Sequence, residues 1–187
     1  MFKPPHWFYK NTKFPKKEVD QVITDIKKID SVSTQNPLKS SFFLNMMERP
    51  DRIWSTKYSK VMEEVVRSMG VYTTCRYNYE YWSQYYQKNI GHNCHHHARG
   101  DIYAFGQISW VHFIRTTKED SFVFVDRTGN TFTPKQNDGD LLIFPSYVWH
   151  EVLPNTTNDE RFVVAGNLWI TDLERTNENK RSRYAIR

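Results

Sequence analysis

Cysteine is scarce in this chain of 187 residues, with only Cys75 and Cys94 present. Two are too few for a disulfide framework or a cysteine-based zinc site. Reduced thiols are the expected state, because MFKPPHWFYKNTKFPKK at the N-terminus has no apolar core of a secretory signal. Long apolar runs are missing too: none approaches the ~18–20 residues that span a bilayer. Internal repeats and low-complexity tracts are also absent. These absences exclude a membrane protein, a secreted disulfide scaffold and a coiled coil. They leave the cytoplasm as the expected location.

Aromatic residues, by contrast, are abundant: 6 Trp, 11 Tyr and 12 Phe make up 16% of the chain. Disordered chains are poor in such side chains, and the length suits one domain with a sizeable core. The net charge is +5, with Lys10, Lys13, Lys16 and Lys17 near one end and Lys180, Arg181, Arg183 and Arg187 at the other. Basic ends can touch nucleic acid or an acidic partner. Solubilised termini explain them as well, and no RNA-binding motif, zinc knuckle or basic amphipathic helix accompanies them.

Residues 1–70 read as helical, 71–172 as a β domain and 173–187 as a basic tail, all within a single domain. After Pro15, the spacing of Val19, Val22, Ile23, Ile26 and Ile29 puts them on one helix face. A second helix is predicted from about Ile53 to Met69, with a stripe of Trp54, Tyr58, Val61, Met62, Val65, Val66 and Met69 that stops at Gly70. Strands are predicted near 71–79, 80–87, 102–115, 121–126, 131–133, 141–144, 147–152 and 161–170. Tight turns are expected at Asp126–Asn130 and Asn137–Asp140. Eight short strands at this spacing suggest a sandwich or jelly roll, with the two helices packed on it.

Four of the seven histidines fall between positions 92 and 97, in Gly-His-Asn-Cys-His-His-His. On an extended segment His95 and His97 point to one side and His96 to the other. Imidazole suits Fe, Zn, Cu and Ni, but a chelating pair still needs a third ligand. His150, a lone polar side chain in an apolar strand, is the candidate. Asp101 is a rival ligand, because the facial triad of non-haem iron enzymes includes a carboxylate. Neither His95 nor His97 has one two residues on. Arg161 follows eleven residues after His150. A hairpin through Asn155–Asn158 would set the two on neighbouring strands, with a guanidinium fork near the metal for a carboxylate.

Those residues resemble the 2-oxoglutarate/Fe(II)-dependent dioxygenases of the prolyl-hydroxylase type, and among them the small oxygenases of bacteria and phages. The matching pattern runs from Trp82 and Gly91 through His95-His96-His97 to Ile108–Ile114. It continues in Gly139-Asp140-Leu141-Leu142-Ile143-Phe144-Pro145-Ser146 and His150-Glu151-Val152-Leu153-Pro154, and closes with Arg161 through Asn167. About half the chain is covered.

The resemblance implies a double-stranded β-helix, mainly β with flanking helices. Fe(II) would sit in its mouth, held by His95, His150 and either His97 or Asp101. Arg161 would grip the far carboxylate of 2-oxoglutarate. Tyr85 would hydrogen-bond the same group, with Tyr86 replacing it if the register is off by one. Asn167 and Ser109 would lie near the pocket, and Trp82, Trp110 and Trp149 would wall it or fill the core. The implied activity uses Fe(II), 2-oxoglutarate and O₂ to hydroxylate a small-molecule or peptide substrate. Two other classes share this architecture: a three-histidine cupin-like metalloprotein with no use for Arg161, and a non-catalytic binding or structural jelly roll.

Overall fold

The structure is a computed structural model that describes residues 2–9, 12–31, 37–69, 74–98 and 106–174. Gly70, Asp101 and the basic C-terminal tail lie outside the described residues. Two antiparallel sheets face each other. The larger one has the order β1-β8-β5-β10-β3-β2 and the smaller one β4-β9-β6-β7. The strands are β1 Trp7–Tyr9, β2 Lys39–Ser40, β3 Thr74–Tyr86, β4 His92–His95 and β5 Gly106–Arg115. They continue with β6 Phe122–Val125, β7 Thr131–Phe132, β8 Leu141–Pro145, β9 His150–Val152 and β10 Arg161–Glu174. This is the jelly-roll arrangement of a double-stranded β-helix.

Helix α1 spans Lys16–Lys28 and buries Val19, Val22, Ile23 and Ile26. Its last turn carries Lys27 and Lys28, the sign that the carbonyl end of a helix favours. A 3-10 turn, Pro50–Trp54, leads into α2, Ser55–Ser68, which buries Tyr58, Met62, Val65 and Val66. Both helices cover the outer face of the large sheet.

Strand alternation divides the apolar residues of the large sheet between two cores. Tyr81, Tyr85, Ile108, Trp110, Phe162, Val164 and Leu168 pack under the helices. Trp82, Tyr86, Val111, Phe113, Val163 and Ala165 face the small sheet. Strand β10 lies in the middle, paired with β3 over its whole length and with β5 as far as Ile170.

Three features depart from the sequence reading. The strands expected at 71–79 and 80–87 are one strand, β3, because nothing in Tyr79-Glu80-Tyr81 breaks the ladder with β10. Strand β10 itself runs four residues past the expected end, to Glu174. The first third of the chain also contributes two short edge strands. β1 pairs with β8, and β2 pairs with β3 at Tyr85 and Gln84.

Candidate metal centre

The three predicted ligands come from two neighbouring strands and the segment just beyond one of them. β4 and β9 are paired so that His95 lies directly across from His150. The chain then continues from β4 to His97, whose backbone N–H donates to the Ser146 carbonyl at 2.9 Å. That bond ties the end of the histidine segment to the loop before β9. Each of His95, His97 and His150 offers one ring nitrogen, and these atoms all lie within 4.8 Å of one another. Nitrogens bound cis to one ion stand ~3 Å apart at metal–nitrogen distances of about 2.0–2.1 Å, so modest ring rotations would close the set. His96 points away, as alternation requires, and meets Trp149 edge to face at 4.5 Å. Trp149 is 42% exposed, so it belongs to the rim rather than the core.

The unused ring nitrogens are satisfied by carbonyls. His150 Nδ1 lies 3.0 Å from the Val148 oxygen, and His95 Nδ1 lies 2.6 Å from the Asn93 oxygen. A carbonyl only accepts, so each Nδ1 carries the proton and each Nε2 presents its lone pair to the cluster. Burial pushes His150 well below the ordinary imidazole range, and the neighbouring His95 adds to the shift. Burial also lowers His95. Both are therefore neutral at neutral pH, which is the form that binds a metal. His92, whose role sequence reasoning did not assign, lies tilted against His95 at 4.3 Å, and burial pushes it down to about 4.

Arg161 does not sit on a strand adjacent to His150, as the expected hairpin required. β9 belongs to the small sheet and β10 to the large one. The segment between them crosses from one sheet to the other, so the two side chains face each other across the barrel. Arg161 is 3% exposed. Its Nη2 donates to the carbonyls of Ile90 (3.1 Å) and Leu153 (2.8 Å). The guanidinium lies over the Tyr86 ring at 4.6 Å. Its Nε and Nη1 are buried without an acceptor among the described residues. Burial pushes its pKa down to about 10, which still leaves it charged at neutral pH.

An inner cavity of about 40 Å³ is lined by Arg161, Tyr86, Gln84, Trp82 and the three imidazoles. Past the imidazoles lies a wider cleft of about 400 Å³, which shares Trp82, Gln84, His92, His95 and His97 with the cavity. Tyr86, not Tyr85, faces the inner cavity. Tyr85 is buried in the core beneath the helices, with the Lys27 ammonium 5.1 Å above its ring. The parity of β3 decides this, and it corrects the placement expected for Tyr85. Asn167 is also not beside Arg161. It lies six residues along β10, in the outer cleft, where its amide donates to Glu80. Ser109 lines the inner cavity and donates to Asn167 Oδ1 at 2.8 Å.

A jelly roll with convergent imidazoles between its sheets and a buried, half-satisfied guanidinium behind them defines the class: a metal-binding double-stranded β-helix. Residues 80–167 match the family model described as "Putative 2OG-Fe(II) oxygenase". Among solved structures, the chain is similar to a Pseudomonas putida prolyl-4-hydroxylase at 14% identity and a TM-score of 0.57, covering 91% of this chain and 93% of that one. It is also similar to a viral collagen prolyl hydroxylase from Paramecium bursaria Chlorella virus-1, at 17% identity, a TM-score of 0.56 and coverage of 88% and 94%. A Burkholderia pseudomallei oxidoreductase of the 2OG-Fe(II) oxygenase family matches at 12% identity and a TM-score of 0.60, with coverage of 88% and 84%. No curated protein matches the chain.

The resemblance read from the sequence is thus shown: residues 80–167 carry the 2-oxoglutarate/Fe(II) oxygenase pattern, on the fold of prolyl-hydroxylase-like oxygenases. The His95/His97/His150 site fits Fe(II), and the family's cosubstrates are 2-oxoglutarate and O₂.

Proposed function

We propose that the protein is an Fe(II)/2-oxoglutarate-dependent hydroxylase, with His95, His97 and His150 as iron ligands and Arg161 as the cosubstrate clamp. One observation carries this reading. Arg161 keeps two buried N–H groups without acceptors in the same cavity as three convergent imidazoles. A buried charged donor left unpaired costs several kcal/mol, and a carboxylate of the right reach removes that cost. A three-histidine metalloprotein without a dicarboxylate cosubstrate would gain nothing from such buried, unpaired donors.

In this reading, bound iron with 2-oxoglutarate and O₂ supplies the oxidation, coupling decarboxylation to succinate and CO₂ with hydroxylation of a substrate. The protein positions the reactants. Nε2 of His95 and His150, fixed by their Nδ1–H bonds, hold the ion with His97. Three imidazole ligands would add no negative charge at the ion, unlike a set that includes a carboxylate. A free N–H of Arg161, at Nη1 or Nε, donates to the far carboxylate in a charge-assisted hydrogen bond, and Tyr86 flanks it. Only that carboxylate and its methylenes enter the narrow inner cavity. The chelating end stays at the imidazoles, where cavity and cleft meet and substrate enters.

The test is anaerobic. Under nitrogen, Fe(II) plus 2-oxoglutarate gives a weak visible charge-transfer band in the wild-type protein. Arg161→Ala lowers the affinity read from that band and leaves the iron content intact. A metal-loaded protein that ignores 2-oxoglutarate would refute the reading.

A further inference from the structure

Trp82, Gln84, His92, His95 and His97 line both the inner cavity and the outer cleft, so they surround the place where the two meet. Of these, Gln84 brings an amide to that place from the large sheet, while the histidines come from the small sheet and the segment that follows β4. Gln84 is 7% exposed.

Burying a primary amide costs free energy unless both its ends find partners. At Gln84 one end does. The Tyr86 hydroxyl donates to Oε1 at 3.0 Å, and the N–H groups of Nε2 meet no acceptor among the described residues. A hydroxyl has a single proton to give, so that of Tyr86 goes to Gln84 rather than to a carboxylate at Arg161. The Tyr86 ring is in turn held against the Arg161 guanidinium at 4.6 Å. A continuous set of contacts, Arg161 to Tyr86 to Gln84, therefore runs from the deep end of the cavity to its junction with the cleft.

The ladder sets the spacing. Tyr86 pairs with Arg161 across β10, and Gln84 pairs with Val163. Gln84 stands two residues nearer the cleft, ~7 Å along the strand, about the reach of a five-carbon diacid. With one carboxylate of such a molecule at Arg161, its other end lies beside the open N–H groups of Gln84 on one side and the imidazoles on the other. Buried N–H groups facing an ion-bound anionic oxygen form charge-assisted hydrogen bonds.

We propose that Gln84 binds the chelating end of 2-oxoglutarate, with Nε2–H donating to its carboxylate, and that Tyr86 is the positioning residue that orients this amide. The assignment of the ligand as 2-oxoglutarate rests on the oxygenase reading above. The cosubstrate is thereby gripped at both ends by the large sheet, through Arg161 and Gln84, while the small sheet holds the ion.

The experiment titrates the Fe(II)-loaded protein with 2-oxoglutarate under nitrogen and reads affinity and wavelength from the visible charge-transfer band. Gln84→Leu weakens binding about tenfold, the scale of one hydrogen bond to a charged group. It also moves the band to shorter wavelength, because a donor on the carboxylate lowers the ligand orbital that accepts the electron. Tyr86→Phe keeps the ring and removes the hydroxyl. It weakens binding severalfold and moves the band the same way. The double variant binds no more weakly than Gln84→Leu alone, because Tyr86 acts through Gln84. Iron content is unchanged in all three. General damage to the fold would weaken binding without moving the band, and the two losses would add. If Gln84→Leu fails to fold, the band of Tyr86→Phe decides. An unmoved band, whatever the affinity, overturns the proposal and leaves the oxygenase reading standing. An iron-loaded wild-type protein that gives no band with 2-oxoglutarate overturns both.

Discussion

Strands β3 and β10 present two faces built from the same residues in alternation, and the two faces are finished differently. Towards the helices, Tyr81, Phe162, Val164 and Leu168 form a dry, closely packed layer. Towards the small sheet, Glu80, Gln84, Tyr86, Arg161 and Asn167 interrupt the apolar surface, and Arg161 keeps donors unpaired. Each face also has a buried histidine next to it. His112 is fully buried under the helices and bonds the Tyr58 hydroxyl at 2.9 Å. His150 is as deeply buried but converges with two other imidazoles. A buried histidine is therefore no sign of a site in itself. Convergence of lone pairs on one point distinguishes the working face from the structural one, where the buried Asp51 also keeps one oxygen unpartnered.

If that division is right, damage to the two faces separates cleanly. His150→Ala has the largest expected effect. Iron affinity falls by more than about 100-fold, since even the outer partners of ligands are worth 10–100-fold, while the fold persists. Metal analysis after dialysis checks this. Phe162→Ala, on the helix-facing side of the large sheet, costs about 3–5 kcal/mol of stability and leaves iron affinity unchanged wherever the protein remains folded. Paired denaturant curves and metal titrations read both quantities. Arg161→Ala weakens 2-oxoglutarate by about 100-fold, the scale of losing charge-assisted bonds. Arg161→Lys restores only part, because the fork is lost although the charge is kept.

Two smaller effects sharpen the contrast from the helix side. A Cβ on Gly166 would lie 2.4 Å from both the Glu80 carbonyl and the Trp110 ring. Gly166→Ala is therefore expected to cost about 1–3 kcal/mol of stability, read as a lowered Tm. The second concerns pH. Burial pushes His112 down from 6.5 to about 3. Between those values the unfolded chain holds a proton that the folded one does not, so His112's contribution to stability is full above about pH 6.5 and is lost as pH falls towards 3. Denaturant midpoints of metal-free protein fall accordingly across that window, and His112→Asn flattens the slope without altering iron affinity at neutral pH.

Much of this was legible in the sequence, for reasons that particular residues make plain. The β-rich second half announced itself through aromatic alternation and through turns such as Asp126–Asn130, where Asp126 Oδ1 accepts from the N–H groups of Thr128 and Asn130. His95, His97 and His150 were legible because an i, i+2 pair must share a face, and His150 alternates onto the face of Val148 and Val152, where a polar side chain needs a partner. Strand parity was not. Tyr85 and Tyr86 differ only in which sheet face they occupy, and that is fixed by the ladder with β10 rather than by their own neighbours. The relation of His150 to Arg161 was misread because a jelly roll sends consecutive strands to different sheets. Strands β1 and β2 were hidden by brevity, since three and two residues carry no periodicity.

The most direct test of the central claim is a crystal structure of the iron-loaded protein, grown anaerobically with N-oxalylglycine, an unreactive mimic of 2-oxoglutarate. The expected electron density shows one ion bound by His95, His97 and His150, chelated by the mimic, whose far carboxylate meets a previously unpaired N–H of Arg161 beside Tyr86. An ion bound elsewhere, or an Arg161 whose buried donors remain unpaired with the mimic present, would contradict it.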